Sequence, residues 1–100
     1  MININNISIG TGQDLALIAG PCQIEGMNHA LDTAGHIGEI CKKVGIKFIY
    51  KSSFDKANRS SIGTKRGVGI EEGLQILNGI KHQFGVPVLT DIHESYQARE

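Results

Sequence analysis

A dense group of residues that can bind an anion lies between positions 51 and 61. This stretch of eleven residues carries two lysines, one arginine, one asparagine and four serines. Phosphate recognition uses point charges and a planar guanidinium, surrounded by hydroxyl and amide donors. The stretch can therefore form a binding site for phosphorylated ligands, and the alternative is a solvated basic loop that binds nothing. The candidate contacts are Lys51, Lys56 and Arg59, with Ser52, Ser53, Asn58, Ser60 and Ser61 as hydroxyl and amide donors.

Cys22 is a second position with chemical potential, because it follows Gly20-Pro21 at the end of an apolar run. Its thiol can be a metal ligand, a nucleophile or a small buried group. No CxxC or HxxxH partner lies nearby, so spacing alone favours a buried thiol. The other cysteine, Cys41, falls on the apolar stripe of a predicted helix and is predicted to lie in the core.

Asp91 and His93 form a third candidate group, after the apolar run that ends at Thr90. Either side chain can hydrogen-bond a sugar hydroxyl or transfer a proton. The competing interpretation is that Asp91 only caps a following helix. The remaining histidines lie in or beside predicted helices without clustered partners, and we expect them to be surface or packing residues.

The distribution of charge favours a small anionic ligand. The formal net charge of the 100 residues is zero, yet eight of the ten basic residues lie between Lys42 and Arg66, with Asp55 as the one acid among them. A neutral chain gives no argument for binding nucleic acid or a membrane surface. No stretch resembles a signal peptide, and no apolar run approaches the ~18 residues of a membrane span. We therefore expect a cytoplasmic protein without disulfides.

Strands and helices are predicted to alternate along the chain. Alternating apolar residues in 2–9 predict a short strand or hairpin, and the unbroken apolar run 15–19 predicts a strand buried on both faces. Amphipathic helices are predicted over 28–44 and 70–84, ended by Gly45 and Gly85. Further strands are predicted over 46–51 and 86–90. A long loop over 54–68 and a third helix within 91–100 complete the pattern.

This order predicts an α/β fold with a parallel sheet. Cys22, the stretch from Lys51 to Ser61, Asp91 and His93 all follow the carboxyl ends of strands, where α/β proteins bind ligands. Three strands do not close a TIM barrel, which takes about 250 residues. The chain is therefore either a small open sheet or the first part of a larger protein, and its ending inside an apparent new helix favours the second.

Four blocks of sequence carry a family resemblance, and they occur in the family's order and spacing. They are Ile18-Ala19-Gly20-Pro21-Cys22, the block Phe48 to Ser61, Arg66 to Gly73, and Thr90-Asp91-Ile92-His93-Glu94. Together they resemble the 3-deoxy-D-manno-octulosonate 8-phosphate synthase family. The Lys51 to Ser61 block is highly specific, whereas the related 3-deoxy-D-arabino-heptulosonate 7-phosphate synthases share the Ala-Gly-Pro-Cys block. Those enzymes carry a Lys-Pro-Arg-Thr type motif after the second strand, which this chain lacks.

The resemblance implies a fold and a reaction. Residues 1–100 would be the N-terminal part of one (β/α)8 TIM-barrel domain. Residues 1–12 would form a hairpin that closes the bottom of the barrel, and residues 13–100 would form the first three βα units. The family condenses phosphoenolpyruvate with D-arabinose 5-phosphate and water, in lipopolysaccharide biosynthesis. The complete enzyme is expected to be a cytoplasmic homotetramer.

Matching positions carry expected roles. Lys51 and Lys56 would contact the carboxylate and phosphate of phosphoenolpyruvate. Asn58, Arg59 and Ser60 would hold arabinose 5-phosphate. Asp91 would lie near the sugar hydroxyls and the metal site, so the expected catalytic residues are Lys51, Lys56 and Asp91.

The resemblance also changes the interpretation of Cys22. This position is Cys in metal-dependent members of the family and Asn in metal-independent ones. We therefore expect Cys22 to be a ligand of a divalent metal such as Fe, Zn or Mn, with the other ligands beyond residue 100. Two alternatives stay open: a heptulosonate phosphate synthase, and a fragment that by itself is not catalytic.

Overall fold

The computed structural model describes residues 1–55 and 67–100, and these form a mixed α/β structure with two sheets. The strands are β1 (Ile2–Ile4), β2 (Ile7–Ile9), β3 (Ala16–Ala19), β4 (Lys47–Lys51) and β5 (Val88–Leu89). The helices are α1 (Met27–Val44), α2 (Ile70–Phe84) and a 3₁₀ helix, Ser95–Arg99. The predictions for Lys56, Asn58, Arg59, Ser60 and Ser61 lie outside the described residues.

The smaller sheet consists of β1 and β2, which pair antiparallel. The pairing joins Ile2 to Ile9 and Ile4 to Ile7, around Asn5-Asn6. Asn5 has a φ of 51°, a left-handed conformation that asparagine adopts more readily than most residues. The alternating pattern therefore predicted these strands correctly, because period-two spacing fits a paired ribbon.

The larger sheet has the order β3-β4-β5, and both of its pairings are parallel. Ala19 pairs with Tyr50, and Tyr50 pairs with Val88, so the three strands end at the same edge. An isolated parallel bridge between Gln23 and Ser53 extends the contact of β3 and β4 past the ends of both strands. This extension brings the segments after the two strands together.

The prediction that the first strand of this sheet is buried on both faces is wrong. Leu15 is 77% exposed, Ile18 50% and Leu17 37%. β3 is an edge strand here, since β4 is its only partner among the described strands. The central strand β4, in contrast, buries Phe48, Ile49 and Tyr50.

Helix α1 begins at Met27 and ends at Gly45, whose φ of 75° is the left-handed C-cap conformation predicted for that glycine. Lys42 and Lys43 lie in the last turn, where cations complement the helix dipole. Cys41 is buried, as predicted. Val44, the last residue of the helix, is 63% exposed.

Helix α2 runs over the range predicted for it and ends at Gly85, with a φ of 67°. Together α1 and α2 cover one face of the larger sheet. The core is a cluster of buried side chains from both helices, β4 and the segments that follow β3 and β4. Its members are Ile24, Ala30, Ala34, Cys41, Phe48, Tyr50, Phe54, Ile76, Leu77 and Ile80. This packing fixes the sheet edge on which the candidate residues lie.

The segment after α2 differs from its prediction. The strand expected over 86–90 is confined to Val88–Leu89, directly after the buried Pro87. Proline has no N–H for a ladder, but its carbonyl accepts a hydrogen bond from Tyr50 N–H at 3.0 Å. The third helix is a 3₁₀ helix of five residues with no buried side chain. In residues 1–55 and 67–100, no helix is long and apolar enough to cross a membrane.

Candidate active site

Three chain segments meet at the carboxyl ends of the parallel strands. Residues 20–24 follow β3, residues 52–55 follow β4, and residues 90–93 follow β5. Ser52 N–H donates to the Leu89 carbonyl at 3.2 Å, and Ile24 N–H donates to the Ser53 carbonyl at 2.8 Å. The backbone thus joins all three segments into one edge, which carries the described candidate residues Cys22, Lys51, Ser53 and Asp91.

Gly20 allows the turn after β3 to approach the end of β4. A Cβ built at Gly20 would lie 2.0 Å from the carbonyl oxygen of Lys51. Real Cβ atoms never approach a backbone oxygen so closely, and the Lys51 backbone is fixed within β4. The Ala-Gly-Pro-Cys block therefore needs its glycine for a contact between neighbouring strands.

Cys22 is exposed, so the buried thiol that spacing alone favoured is wrong. The segment after β3 turns Gln23 and Ile24 inward instead; Ile24 is 0% exposed. The Cys22 carbonyl accepts a hydrogen bond from Ser53 N–H at 3.4 Å. The backbone of Cys22 is thus held against β4 while its side chain stays accessible to a ligand.

Lys51 is half-buried at the last position of β4. Side chains alternate along a strand, so Lys51 and Ile49 share the face opposite Phe48 and Tyr50. Phe48 and Tyr50 belong to the core beneath the helices. The Lys51 side chain therefore leaves the sheet on the face away from the helices, at the edge where the three segments meet.

His93 connects the segment after β5 to the segment after β4. Its Nε2 contacts the carbonyl oxygen of Asp55, and its ring lies 6.0 Å from the ring of Phe54, at an angle of 53°. The neutral imidazole can donate to this carbonyl through Nε2–H. His93 is thus in contact with the backbone immediately before residues 56–66.

Asp91 is half-buried and does not cap the helix that follows, contrary to the structural alternative raised for it. The N-cap of the 3₁₀ helix is Glu94, which forms a capping box with Gln97. The Gln97 side chain accepts hydrogen bonds from the N–H groups of His93, at 2.9 Å, and Glu94, at 3.0 Å. The cap of this helix is therefore Glu94, and Asp91 lies before it at the edge where the three segments meet.

Tyr50 lies directly beneath the site and is 0% exposed. Burial raises the pKa of its phenol above 10.0, and the nearby Ser52 hydroxyl lowers it by less. The phenol hydroxyl has no hydrogen-bond partner in the described part of the chain. Tyr50 therefore stays neutral at physiological pH and supports the site by packing.

The donor set of the described residues suits part of a metal site. No group of three or more His, Cys, Asp or Glu side chains that could hold a metal ion occurs within 1–55 and 67–100. The accessible thiol of Cys22, at a ligand-binding edge, nevertheless has the chemistry of a transition-metal ligand. The chemistry and exposure of Cys22 are thus compatible with a metal ligand, while residues 1–55 and 67–100 hold no complete site.

Comparison with known proteins identifies the family. The profile of the DAHP synthetase I family matches residues 1–100. The chain belongs to this family. The match covers all three segments of the candidate site.

Individual relatives point to one branch of the family. A 2-dehydro-3-deoxyphosphooctonate aldolase of Thioalkalivibrio sulfidiphilus is 58% identical over 91% of this chain and 32% of its own length. Proteins of the same name match from Synechococcus sp., at 55% identity over 94% of the chain and 33% of the relative, and from Rickettsia prowazekii, at 52% over 100% and 36%. The chain spans about a third of the length of the curated relatives that it matches.

One contact in the site was not foreseen from the sequence. Ser52 was counted only among the polar donors of the 51–61 stretch, but it is 0% exposed and its hydroxyl donates to the Pro21 carbonyl at 2.6 Å. Strand periodicity could have predicted its burial, because residues two apart in a strand point to the same face and Ser52 follows the core residues Phe48 and Tyr50 at this spacing. Its partner lies 31 residues away, and only the tertiary structure shows that contact.

Proposed function

We propose that the protein carrying this chain is a 3-deoxy-8-phosphooctulonate synthase, a transferase that joins phosphoenolpyruvate to D-arabinose 5-phosphate. The observation that carries the proposal is the position of Lys51. This lysine lies at the carboxyl end of the central strand, on the face away from the helices, between the segments of Cys22 and Asp91. The identity of 52–58% to octonate aldolases supports this reaction over heptulosonate phosphate synthesis.

The proposed chemistry requires two anions to meet. A bond forms between the methylene carbon of the enol and the aldehyde carbon of the sugar, water adds to the adjacent carbon, and inorganic phosphate leaves. Cationic side chains offset the repulsion of the two phosphates and fix the reacting carbons close together. In this proposal Lys51 and Lys56 bind phosphoenolpyruvate and Ser53 adds a hydrogen-bond donor. Asn58, Arg59 and Ser60 bind arabinose 5-phosphate.

The proposal includes a divalent metal ion, Fe, Zn or Mn, with Cys22 as one ligand. Such an ion supplies a Lewis acid that polarises a bound oxygen. The exposure of the Cys22 thiol supports this role, since a thiolate must reach the ion directly. Asp91 is proposed to act beside it, where its carboxylate can accept a hydrogen bond from a sugar hydroxyl.

The proposed architecture is a (β/α)8 barrel in a cytoplasmic homotetramer. In this proposal β3, β4 and β5 are the first three barrel strands, and the pair β1 and β2 closes the bottom of the barrel. The parallel order β3-β4-β5 supports it, because consecutive strands are neighbours in a barrel. The exposed apolar side chains of β3 support it too, since a closed barrel would cover both the edge and the inner face of this strand.

The choice of acceptor tests the reaction. We expect the full-length protein to release phosphate from phosphoenolpyruvate with arabinose 5-phosphate and to be at least about 100-fold less active with erythrose 4-phosphate, since pocket contacts set such ratios. Phosphate release measured with each acceptor at equal concentration decides this. A preference for erythrose 4-phosphate would instead identify a heptulosonate synthase.

A second experiment tests how the basic stretch divides between the two substrates. Arg59→Ala is expected to raise the KM for arabinose 5-phosphate by about 10- to 100-fold, because a charge-assisted pair to phosphate is lost. The KM for phosphoenolpyruvate should change by less than about threefold. Lys56→Ala is the matched control and should show the opposite pattern. An equal effect of Arg59→Ala on both substrates would contradict the division.

A further inference from the structure

We propose that Ser52 is a positioning residue for Cys22. Ser52 touches no substrate in this assignment and acts through the Pro21 carbonyl to fix the turn that presents the thiol. The inference rests on the proposed role of Cys22 as a metal ligand and adds a residue to it. Its basis is one buried hydrogen bond between the ends of β3 and β4.

Proline creates the need for this hydrogen bond. A parallel ladder between β3 and β4 uses alternate N–H and carbonyl groups, but Pro21 has no N–H to contribute. The regular pairing stops at Ala19 and Tyr50 and resumes only at the bridge between Gln23 and Ser53. The residues between these points must be held by other contacts.

The Ser52 hydroxyl crosses this gap. It donates to the Pro21 carbonyl at 2.6 Å, and Ser52 is 0% exposed, so water cannot replace it. Its backbone is fixed in turn, because Ser52 N–H donates to the Leu89 carbonyl at 3.2 Å. Ser52 therefore ties the turn after β3 to β4 and, through β4, to β5.

Cys22 lies between two such attachments. The Ser52 bond holds Pro21 on its amino side, and Ile24 N–H holds the carboxyl side through the Ser53 carbonyl at 2.8 Å. Gly20 presses the turn against Lys51, which removes room for a shift toward β4. With Ser52 in place, the backbone that carries the Cys22 side chain is fixed on both sides. Without it, Pro21 loses its side-chain attachment to the segment after β4, and only the backbone bonds through Ser53 remain to hold Cys22 and Ile24.

Groups that orient a metal ligand affect metal affinity although they never touch the ion, and removing one typically costs about 10- to 100-fold. We therefore expect Ser52→Ala in the full-length protein to weaken binding of Co²⁺ by about this factor in competition with a chelator. The thiolate-to-cobalt charge-transfer absorption should fall with it. Ser52→Thr keeps the hydroxyl and should restore most of both signals.

Thr33→Ala is the control. Its hydroxyl also donates to a backbone carbonyl, that of His29 at 2.8 Å, but this bond lies within α1 and not at the turn of Cys22. Co²⁺ affinity should therefore stay within about threefold of wild type, well below the effect of losing an orienting contact. Cys22→Ala should abolish the charge-transfer absorption, which shows that the signal reports this thiol.

Amide hydrogen exchange gives a measurement that needs no metal. In the metal-free protein, Ser52→Ala should speed exchange of a peptide containing residues 22–24 by about tenfold. The reason is that the turn before Ile24 loses the hydrogen bond that holds Pro21, so the Ile24 amide opens to solvent more often. Exchange in β1 and β2 should not change. Wild-type exchange at residues 22–24, or wild-type Co²⁺ binding in Ser52→Ala, would overturn the inference.

The two proposals can fail separately. If wild-type protein binds Co²⁺ without thiolate absorption, Cys22 is not a ligand and that part of the proposed function is wrong. The role of Ser52 in fixing the turn would then be decided by hydrogen exchange: faster exchange in Ser52→Ala supports it, and unchanged exchange overturns it.

Discussion

At the scale of single residues, the site depends on which side chains face the core and which face away from it. Tyr50 and Lys51 are neighbours in β4 but lie on opposite faces, so one is buried under the helices and the other is available for a ligand. Ser52 follows on the Tyr50 side and uses its hydroxyl to hold the turn of Cys22. Because side chains alternate along β4, Tyr50 and Ser52 support the site from the core side, and Lys51 faces a ligand on the other side.

Tyr50 gives a prediction at this scale. Because burial raises the pKa of its phenol, the folded protein keeps the proton at pH values where the unfolded chain has lost it. The stabilisation is complete below pH 10 and is lost as pH rises above it. Tyr50→Phe has no such proton, so its melting temperature should fall less than that of wild type between pH 8 and pH 11.

The control for this experiment is Tyr96→Phe, because Tyr96 is 65% exposed. This variant keeps Tyr50 and should therefore still lose melting temperature between pH 8 and pH 11. At pH 8, Tyr50→Phe should change stability by no more than about 1 kcal/mol, because the hydroxyl it removes has no hydrogen-bond partner within 1–55 and 67–100. A wild-type pH profile for Tyr50→Phe would show that Tyr50 ionises equally in both states.

At the scale of elements, glycines decide how closely the helices approach the sheet. Gly73 of α2 is buried against the segment after β4: a Cβ there would lie 2.6 Å from the Cβ of Phe54. Gly38 of α1 is different, since its added Cβ would lie 3.8 Å from the Phe48 ring, an ordinary contact. Both glycines occupy helix interiors, where alanine has the higher intrinsic helix propensity.

This difference predicts opposite effects for the same substitution. Gly73→Ala should destabilise the protein by about 1–3 kcal/mol, because Phe54 and the backbone beside it must shift. Gly38→Ala should stabilise it by about 0.5–1 kcal/mol through helix propensity. Urea unfolding of the two variants and wild type measures both effects. A gain in stability for Gly73→Ala would mean that α2 does not press on Phe54.

At the scale of the whole molecule, the described residues leave much apolar surface exposed on one side of the sheet. Ile18 and Leu89, which pair with Ile49 and Lys51 on the face away from the helices, are 50% and 43% exposed, although α1 and α2 bury a continuous core on the other side. Soluble monomers rarely expose apolar side chains in contiguous patches of this kind. Edge strands also present unpaired backbone groups that can pair with other chains.

We therefore expect residues 1–100, expressed alone, to self-associate and to bind an apolar fluorescent dye. The full-length protein should bind the dye much less, because the remaining units would cover these side chains. Sedimentation velocity and dye fluorescence at matched concentrations make the comparison. A monomeric polypeptide of residues 1–100 that unfolds cooperatively in urea would contradict the expectation.

The sequence by itself determined the order of the elements, the limits of α2 and the glycine caps of both helices. These features depend on local chemistry: periodicity, capping and backbone preference act over a few residues. The same applies to Lys51, since a basic residue at the end of an apolar strand is visible without a structure. The specific blocks around Cys22, Lys51 and Asp91 also identified the family that the comparison then showed.

Only the tertiary structure decided the exposure and the hydrogen-bond partners of the residues at the carboxyl ends of the strands. The exposure of Cys22, the pairing of Ser52 with Pro21 and the capping of the last helix by Glu94 instead of Asp91 were not predicted. In each case several side chains could take the same position or the same hydrogen-bond partner, and the path of the backbone decides which of them does. Spacing cannot tell which carbonyl a buried hydroxyl will meet 31 residues away, because that meeting is a consequence of strand pairing.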